Sequence, residues 1–207
     1  MNIILLGAPG SGKGTMAQKL TSELNIPQIS TGDIFRKNLK EATPLGLRVK
    51  DILESGGLVP DEITIEIVKN RLAEKDCAKG YILDGFPRSI GQAEALETFQ
   101  KIDCAINLDV DKETIVNRLS GRRFCPDCSG TFHISTLTDA EICPVCGGKL
   151  IIRPDDSEAT VRERLRLYDT TTFPLIEFYA KLGKLITVDG NGGIDVVYRR
   201  ILNVLKK

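Results

Sequence analysis

One glycine-rich stretch, LLGAPGSGKGT at residues 5–15, restricts the fold of this chain more than any other feature. It follows the apolar run IIL that begins at Ile3 and overlaps the helix-like segment KGTMAQKLTSEL at residues 13–24. Strand, loop, lysine and helix in this order match the phosphate-binding pattern G-x-x-x-x-G-K-[ST], whose backbone N–H groups turn toward phosphate oxygens. Gly7, Gly12 and Lys13 fit, but the hydroxyl residue is displaced to Thr15 by Gly14. We predict a phosphate-binding loop.

Two other interpretations of this stretch explain less. The dinucleotide pattern G-x-G-x-x-G, started at Gly10, requires a glycine where the chain has Thr15. A plain glycine turn between a strand and a helix gives no role to Lys13. The N-terminus of the following helix favours an anion, which agrees with phosphate binding.

Apolar strand candidates alternate with segments of helical period along the chain. The strand candidates are IILL, PQIS, YIL, CAINLDV and LITV. Helices are predicted to begin near Gly32, Asp61, Ser89, Asp111 and Glu158, and a last helix follows NGG and ends at Leu205. This alternation predicts an α/β fold with a parallel sheet that has helices on both faces. Residues 121–158 interrupt the alternation and are predicted to form an inserted subdomain without a long helix.

The composition limits the functional classes. The chain has 207 residues, enough for one domain with insertions, and it carries 28 Lys and Arg against 28 Asp and Glu. A zero formal charge argues against a large surface for polyanions. The sequence shows neither a signal-like N-terminus nor an apolar run of 18 residues, so we expect a cytoplasmic protein with no membrane partner.

The cysteine pattern is the second specific signal. CPDC and CPVC are separated by fourteen residues, which is close to the zinc-ribbon spacing, and the ligands would be Cys125, Cys128, Cys143 and Cys146. A redox dithiol pair is the alternative, but two duplicated Cys-x2-Cys units in one segment favour zinc. Cys77 and Cys104 are isolated and are expected to be core or surface residues. His133 lies between the two units and is expected to be a loop residue.

Charged residues indicate phosphoryl transfer. Asp84 ends an apolar strand, where P-loop proteins keep a carboxylate near Mg²⁺, usually through water; alternatively it simply pairs with Arg88. Arginines are predicted at strand ends, helix ends or the edges of the cysteine segment: Arg36, Arg88, Arg118, Arg122, Arg123, Arg153 and Arg164. Guanidinium groups suit bidentate binding of phosphate oxygens. A single histidine argues against a hydrolytic triad.

Five motifs taken together resemble adenylate kinase, of the long-lid bacterial type that carries zinc. They are GAPGSGKGT, STGDIFR at 30–36, DGFPRS at 84–89, GRR at 121–123 and RPDDSEATVRERL at 153–165. The resemblance covers the whole chain, and the family's G-K-G-T loop accounts for Gly14. It implies a P-loop nucleotide kinase with a central five-stranded parallel sheet. The implied regions are a core at 1–29, 60–120 and 159–207, an AMP-binding helical segment at 30–59 and a zinc-binding lid at 121–158.

The resemblance also implies the reaction and its site residues. The reaction would be reversible, Mg²⁺-dependent phosphoryl transfer from ATP to AMP, giving two ADP, by a monomer with structural zinc. The implied ATP contacts are Gly10, Ser11, Gly12, Lys13, Gly14, Thr15, Arg118, Arg122, Thr131, Phe132 and Gly192. The implied AMP contacts are Thr31, Arg36, Gly57, Leu58, Val59, Gly85, Phe86, Pro87, Arg88, Gln92, Arg153 and Arg164. The implied catalytic residues are Lys13, Arg88, Arg122, Arg153 and Arg164, with Asp84 near Mg²⁺. Many relatives carry lysine at position 192, so Gly192 leaves only a main-chain contact.

Two alternative functions remain at this stage. A UMP/CMP or GMP kinase would share the loop and the arginines, but Thr31, Gln92 and the long zinc lid favour AMP. A P-loop protein could instead use its ribbon to clamp nucleic acid, which requires a basic and aromatic ribbon. Between Phe124 and Leu150 the chain has one lysine and three acids, so we expect no nucleic-acid partner.

Overall fold

A computed structural model describes residues 1–206, so Lys207, the last residue of the predicted core region, lies outside the described residues. The strands are β1 (Asn2–Leu6), β2 (Gln28–Ser30), β3 (Tyr81–Asp84), β4 (Cys104–Asp109), β5 (Arg122–Phe124), β6 (Thr131–His133) and β7 (Leu185–Asp189). Five of them form one parallel sheet in the order β2-β3-β1-β4-β7, and each corresponds to a predicted strand. The predicted α/β architecture is therefore confirmed.

The α-helices pack around this sheet. They are α1 (Lys13–Leu24), α2 (Thr31–Lys40), α3 (Pro44–Glu54), α4 (Asp61–Leu72), α5 (Ile90–Phe99), α6 (Lys112–Ser120), α7 (Glu158–Leu167), α8 (Pro174–Lys181) and α9 (Ile194–Leu205). Ser30, Ser89, Asp111 and Ser157 cap their helices through side-chain oxygens. The predicted helix starts are confirmed within a residue or two.

Two helices have no counterpart among the predicted starts. Thr43 caps α3 and Pro44 occupies its first turn, but Gly46 weakens the helical pattern. The second is α8, which follows α7 after a π-helical turn at Tyr168–Thr172. Only the helix start near Glu158 was predicted in this region; Pro174, which interrupts a helix when it lies in the interior, here occupies the first position of α8.

The sheet is buried on both faces, which explains the nearly continuous apolar strands. In β1, Ile4 and Leu6 face a core formed with α4, α5 and α8. Ile3 and Leu5 face the opposite core, formed with α1 and α9. Alternate residues of a strand point to opposite faces, so the same run supports both layers.

Two outlying segments have small cores of their own. In residues 30–59, Phe35, Val49 and Val59 are buried together between α2 and α3. Residues 121–157 contain the antiparallel pair β5–β6 and short 3₁₀ turns but no α-helix, as predicted. Their core consists of Cys125, Cys143 and Leu150, with Phe132 and Leu137 packed beside them.

Across residues 1–206, no helix combines the length and the apolar composition that crossing a bilayer requires.

Candidate active site

A cleft lies at the carboxyl ends of the parallel strands, where loops of an α/β sheet converge. Its main cavity has a volume of about 750 Å³, and a smaller cavity of about 70 Å³ adjoins it. Several residues line both cavities: Gly32, Arg36, Gly56, Leu58, Gly85, Arg88 and Arg164. The predicted phosphate loop and the predicted AMP residues therefore lie along one continuous cleft.

The loop between β1 and α1 has the backbone that its glycines predict. Gly10 and Gly12 have φ angles of +84° and +100°, in the left-handed region that favours glycine. A Cβ at Gly10 would also lie 2.8 Å from Leu119 Cγ, so the close packing against α6 needs the missing side chain. Residues Gly10 to Thr15 all line the main cavity. Their backbone amides and the N-terminus of α1 provide an anion-binding site.

Lys13 holds its ammonium group inside this loop. Its Nζ donates to the carbonyl oxygens of Gly7 at 2.6 Å and Ala8 at 2.9 Å, and lies 3.4 Å from Ser11 Oγ. Burial lowers the pKa of Lys13 to about 8, and the negative charge of Asp84 only partly opposes this. A phosphate group would supply the additional negative charge that the buried ammonium lacks.

Asp84 lies at the end of β3, beside the loop. Its Oδ2 accepts a hydrogen bond of 3.0 Å from Gln28 Nε2, and burial raises its pKa while nearby Lys13 opposes the increase. A Cβ at Gly14 would lie 3.3 Å from Asp84 Oδ2. The close approach of this carboxylate explains why glycine, and not a larger hydroxyl residue, follows Lys13.

Besides Arg118, which binds backbone carbonyl oxygens, five arginines line the main cavity: Arg36, Arg88, Arg122, Arg153 and Arg164. They come from α2, from the loop after β3, from β5, from the segment after the cysteines and from α7. Arg36 lies within α2 and not at a helix end, so that part of the prediction was wrong. Its side chain nevertheless points into the cleft, because position along a helix matters less than the face it occupies.

Carboxylates balance part of this positive charge. Arg122 makes a bidentate pair with the fully buried Asp156, with Nε at 2.7 Å from Oδ2. Arg164 donates to Asp155 Oδ2 at 2.7 Å and to Asp156 Oδ1 at 3.3 Å. Asp155 and Asp156 belong to the RPDDSEATVRERL motif, and they orient Arg164 of the same motif and Arg122 of β5.

Among residues 1–206, Arg88 and Arg153 have no carboxylate within ion-pair distance, whereas Arg36 pairs with Asp33. Burial, followed by repulsion from neighbouring arginines, lowers the pKa of Arg88 to about 10 and that of Arg153 to about 9. Arg36 and Arg153 each keep a buried Nε–H that no atom of residues 1–206 accepts. A cluster of desolvated guanidinium groups with unused donors favours a multiply charged anion.

Arg118 and Arg123 differ from the other five. Arg118 donates to the carbonyl oxygens of Ser11 at 3.0 Å, Gly190 at 3.0 Å and Gly192 at 3.3 Å. It therefore ties the phosphate loop to the turn after β7. Arg123 is absent from the residues lining either cavity and donates to the carbonyl oxygen of Arg122.

The smaller cavity contains most of the predicted AMP residues. Its lining includes Thr31, Gly57, Leu58, Val59, Gly85 and Gln92, together with Arg36, Arg88 and Arg164. Thr31 Oγ1 donates to the carbonyl oxygen of Gly85 at 2.8 Å, which joins the start of α2 to the loop after β3. Pro87 and Arg153 line the main cavity instead.

Phe86 requires a correction. Its side chain is fully buried in the core that α4 and α5 form with the sheet, and it lines neither cavity. A large aromatic ring next to a buried strand has more to gain from the core than from a polar cleft. The DGFPRS motif therefore serves packing through Phe86 and the cleft through the residues around it.

The predicted adenine and ribose contacts of ATP, Thr131, Phe132 and Gly192, also line the main cavity. Thr131 and Phe132 belong to β6, so they come from the inserted segment. Gly192 has a φ angle of +104°, a backbone conformation that a lysine would adopt only with strain. This conformation accounts for glycine at a position where the resemblance suggests lysine.

The four predicted metal ligands converge. The Sγ atoms of Cys125, Cys128, Cys143 and Cys146 all lie within 4.8 Å of one another, with separations of 3.5 Å for Cys125–Cys146 and 3.6 Å for Cys128–Cys143. Tetrahedral Zn–S bonds of about 2.3 Å place sulfurs about 3.8 Å apart, so the geometry fits a closed thiolate site. His133 is not part of this group: its ring nitrogens pair with Ser135 Oγ and the carbonyl oxygen of Asn117. Cys77 and Cys104 are buried elsewhere, as expected.

Some residues in the cleft or in contact with its side chains were not predicted from the sequence. Asp155 and Asp156 orient arginines, Asp61 holds Gln92, and Thr172 Oγ1 donates to the carbonyl oxygen of Arg88 at 2.9 Å. The roles of Asp155 and Asp156 could have been predicted, because both lie in an arginine-rich motif just after Arg153. Asp61 and Thr172 are distant in sequence from their partners, and no local pattern marks them.

Comparison with known proteins identifies the family. A family model described as adenylate kinase matches residues 5–184. The chain is 51% identical over 215 residues to an adenylate kinase of Finegoldia magna, with 100% of both chains covered. It is 50% identical over 212 residues to one of Clostridium tetani, covering 99% of this chain and 98% of that relative. With its loop, arginines and cysteines arranged as described, the chain belongs to the adenylate kinase family of nucleoside monophosphate kinases.

Proposed function

We propose that the cleft transfers the γ-phosphoryl group of Mg·ATP reversibly to AMP, giving two ADP. One observation carries this proposal: Lys13 and six arginines line one cleft that has two connected cavities. A single phosphate would not require so many cations, whereas ATP and AMP bring four phosphoryl groups together. The relatives described above are named adenylate kinases, which agrees with this reaction.

ATP occupies the main cavity. Its phosphates lie against the backbone of residues 10–15, with Lys13 between the β and γ groups and Arg118 and Arg122 nearby. Its adenosine lies toward Thr131, Phe132 and Gly192. Mg²⁺ neutralises part of the triphosphate charge when bound, and Asp84 is the carboxylate that would hold it through water.

AMP occupies the smaller cavity and its junction with the main one. Arg36 and Arg88 hold its phosphate, Gln92 contacts the adenine, and residues 57–59, Gly85 and Pro87 form the walls. Arg153 and Arg164 lie between the two nucleotides. The unused Nε–H of Arg153 and the desolvation of both guanidinium groups suit the charge that spreads over a phosphoryl group in transit.

The reaction needs no general base. An AMP phosphate oxygen is already anionic; it attacks the γ phosphorus, the bond from that phosphorus to the bridging oxygen breaks, and the electron pair remains on the β-phosphate of ADP. The protein therefore acts through positioning and charge stabilisation.

Closure of two segments excludes water, which would otherwise accept the phosphoryl group. We assign these roles to residues 30–59 and 121–158. In the structure they contact each other: Lys40 Nζ donates to the carbonyl oxygen of Pro126 at 3.3 Å, and the guanidinium of Arg36 lies 5.8 Å from the ring centre of Phe124.

The four cysteines bind structural Zn²⁺. Four thiolates fill a tetrahedral coordination sphere, which leaves no position for substrate or water. All six cysteines are free thiols, and zinc thiolate sites persist in reducing compartments. Together with the balanced charge of the chain, this supports a cytoplasmic enzyme that works as a monomer without nucleic acid or membrane partners.

A coupled assay of ADP formation tests the acceptor. ATP is supplied with AMP, UMP, CMP or GMP in turn, and kcat/KM is measured for each. AMP should exceed each of the others by at least tenfold, on the order of what one base-specific contact provides. Comparable turnover of UMP or CMP would overturn the assignment of AMP as the acceptor.

A further inference from the structure

Asp61, the first residue of α4, contacts two residues that lie 28 and 31 positions further along the chain. Its Oδ1 accepts a hydrogen bond of 2.6 Å from Gln92 Nε2, and its Oδ2 accepts one of 2.6 Å from Ser89 Oγ. Ser89 Oγ in turn accepts from the backbone N–H of Gln92 at 3.1 Å. Asp61 is thus the hub of a network that holds the start of α5.

The same network fixes the orientation of the Gln92 side-chain amide. Its Oε1 accepts a hydrogen bond of 2.8 Å from the backbone N–H of Arg88. A backbone N–H can only donate and an ionised carboxylate can only accept, so the oxygen must face Arg88 and the nitrogen must face Asp61. Gln92 is only 2% exposed, and it lines the smaller cavity. Each amide atom retains one further hydrogen-bonding position, a donor on Nε2 and an acceptor on Oε1.

A fixed amide can distinguish purine bases. Adenine presents an acceptor at N1 and a donor at its N6 amino group, whereas hypoxanthine and guanine present a donor at N1 and an acceptor at O6. The two edges therefore carry the same groups in opposite order. A side-chain amide that could rotate by 180° would form hydrogen bonds with either type of base edge. An amide that is held in one orientation pairs with only one type.

We propose that Asp61 is a positioning residue that sets base selectivity at the acceptor site by locking the Gln92 amide in the orientation that suits adenine. This inference rests on the proposed function, which places the adenine of AMP beside Gln92. Asp61 itself does not line either cavity, so it acts through Gln92.

The test compares AMP with IMP, which carries hypoxanthine, as acceptors for Asp61→Ala. Removing the only carboxylate that restrains Nε2 should raise the KM for AMP and lower the ratio of kcat/KM for AMP over IMP by about tenfold or more. The KM for Mg·ATP should stay within twofold, since ATP lies elsewhere in the cleft. Asp61→Asn should retain much of the selectivity, because the amide oxygen of asparagine can still accept from Gln92.

Two further variants separate positioning from general damage. Glu62→Gln removes a neighbouring charge from the same exposed first turn of α4 and should leave the ratio unchanged. In a Gln92→Ala background, Asp61→Ala should produce no further change in the ratio, because the amide through which it acts is gone. Melting temperatures report any loss of folding, and Asp61→Leu, which is close to aspartate in size but accepts no hydrogen bond, repeats the test if Asp61→Ala does not fold.

The outcomes distinguish the two proposals. If the wild-type protein does not use AMP as an acceptor, the proposed function itself fails. If it prefers AMP but folded Asp61→Ala keeps the wild-type ratio, or the ratio falls equally in the Gln92→Ala background, the role of Asp61 is overturned.

Discussion

Lys13 shows how one buried charge is prepared for its ligand. The loop carbonyl oxygens of Gly7 and Ala8 hold its ammonium group, yet burial still lowers the pKa of Lys13 to about 8. The free protein therefore loses this charge as the pH rises through 8. A bound triphosphate favours the protonated form and raises the pKa again.

Binding of Mg·ATP should consequently weaken above pH 8. We expect its Kd, measured by calorimetry at constant ionic strength from neutral pH to about pH 10, to rise with an inflection near pH 8. Lys13→Met should bind Mg·ATP more weakly at neutral pH and lack the inflection, while its circular dichroism and melting temperature stay near those of the wild type. A wild-type Kd that is independent of pH over this range would contradict the account of Lys13.

The sequence predicted most of the functional side chains but not their orientations. Lys13, the arginines and the cysteines stand in motifs whose spacing reflects a shared chemistry, so the pattern predicted them. The contact between Asp61 and Gln92 depends on how α4 and α5 meet in the fold, which no local pattern records. Phe86 was assigned to the cleft because it lies within a motif, although its size and apolar character favour the core.

At the scale of elements, Phe124 of β5 contacts both of the segments, 30–59 and 121–158, that we propose to close over the substrates. The ring of Phe124 lies 4.2 Å from the guanidinium carbon of Arg153, and Arg36 of α2 approaches the same ring at 5.8 Å. One aromatic side chain thus contacts arginines of both segments. Cation–π contacts contribute about 0.5–2 kcal/mol each, enough to influence a closing equilibrium.

Phe124→Leu should weaken closure while it preserves apolar packing in the small core. We expect the KM for AMP to rise by about 2- to 30-fold, which corresponds to the loss of one such contact. Phe99→Leu is a matched control, because Lys69 lies over that ring at 5.9 Å, away from the cleft. An unchanged KM for AMP in Phe124→Leu, or an equal rise in Phe99→Leu, would show that the aromatic contact has no role in closure.

The type and order of the strands and helices were easier to predict than the number of helices. The five parallel strands have strong apolar runs because both faces of the sheet are buried. The helices α3 and α8 contain residues that usually interrupt helices, Gly46 and Pro174. Their tertiary contacts stabilise them where propensity alone gives a weak signal.

At the scale of the whole molecule, the inserted segment is the part with the weakest core. Only Cys125, Cys143 and Leu150 form its buried centre, whereas Ile142, Val145 and Ile152 are more than half exposed. Such a core does not stabilise a fold of this size without a staple. Structural zinc contributes roughly 10–16 kcal/mol in small peptides at neutral pH, so the zinc that we propose at the four cysteines would be the main source of local stability.

Loss of the metal should therefore reduce the thermal stability of the protein more than its rate of phosphoryl transfer. We expect Cys128→Ser or treatment with a strong chelator to lower the melting temperature markedly, while activity persists at low temperature. Cys77→Ser removes a thiol outside the cluster and should leave the metal content at one zinc per chain. Two results would refute a structural role: purified protein without stoichiometric metal, or a metal-free form that is as heat-stable as the holo-protein but inactive at every temperature.

The central claim is that the cleft passes a phosphoryl group between two nucleotides and keeps water out. Phosphorus NMR of the purified protein with Mg·ATP and AMP measures this directly, because ATP, ADP, AMP and inorganic phosphate give separate signals. We predict that AMP and ATP decrease together, that two ADP appear for each AMP consumed, and that inorganic phosphate does not accumulate. Formation of one ADP and one inorganic phosphate per ATP, with AMP unchanged, would contradict the account, since it would show transfer to water.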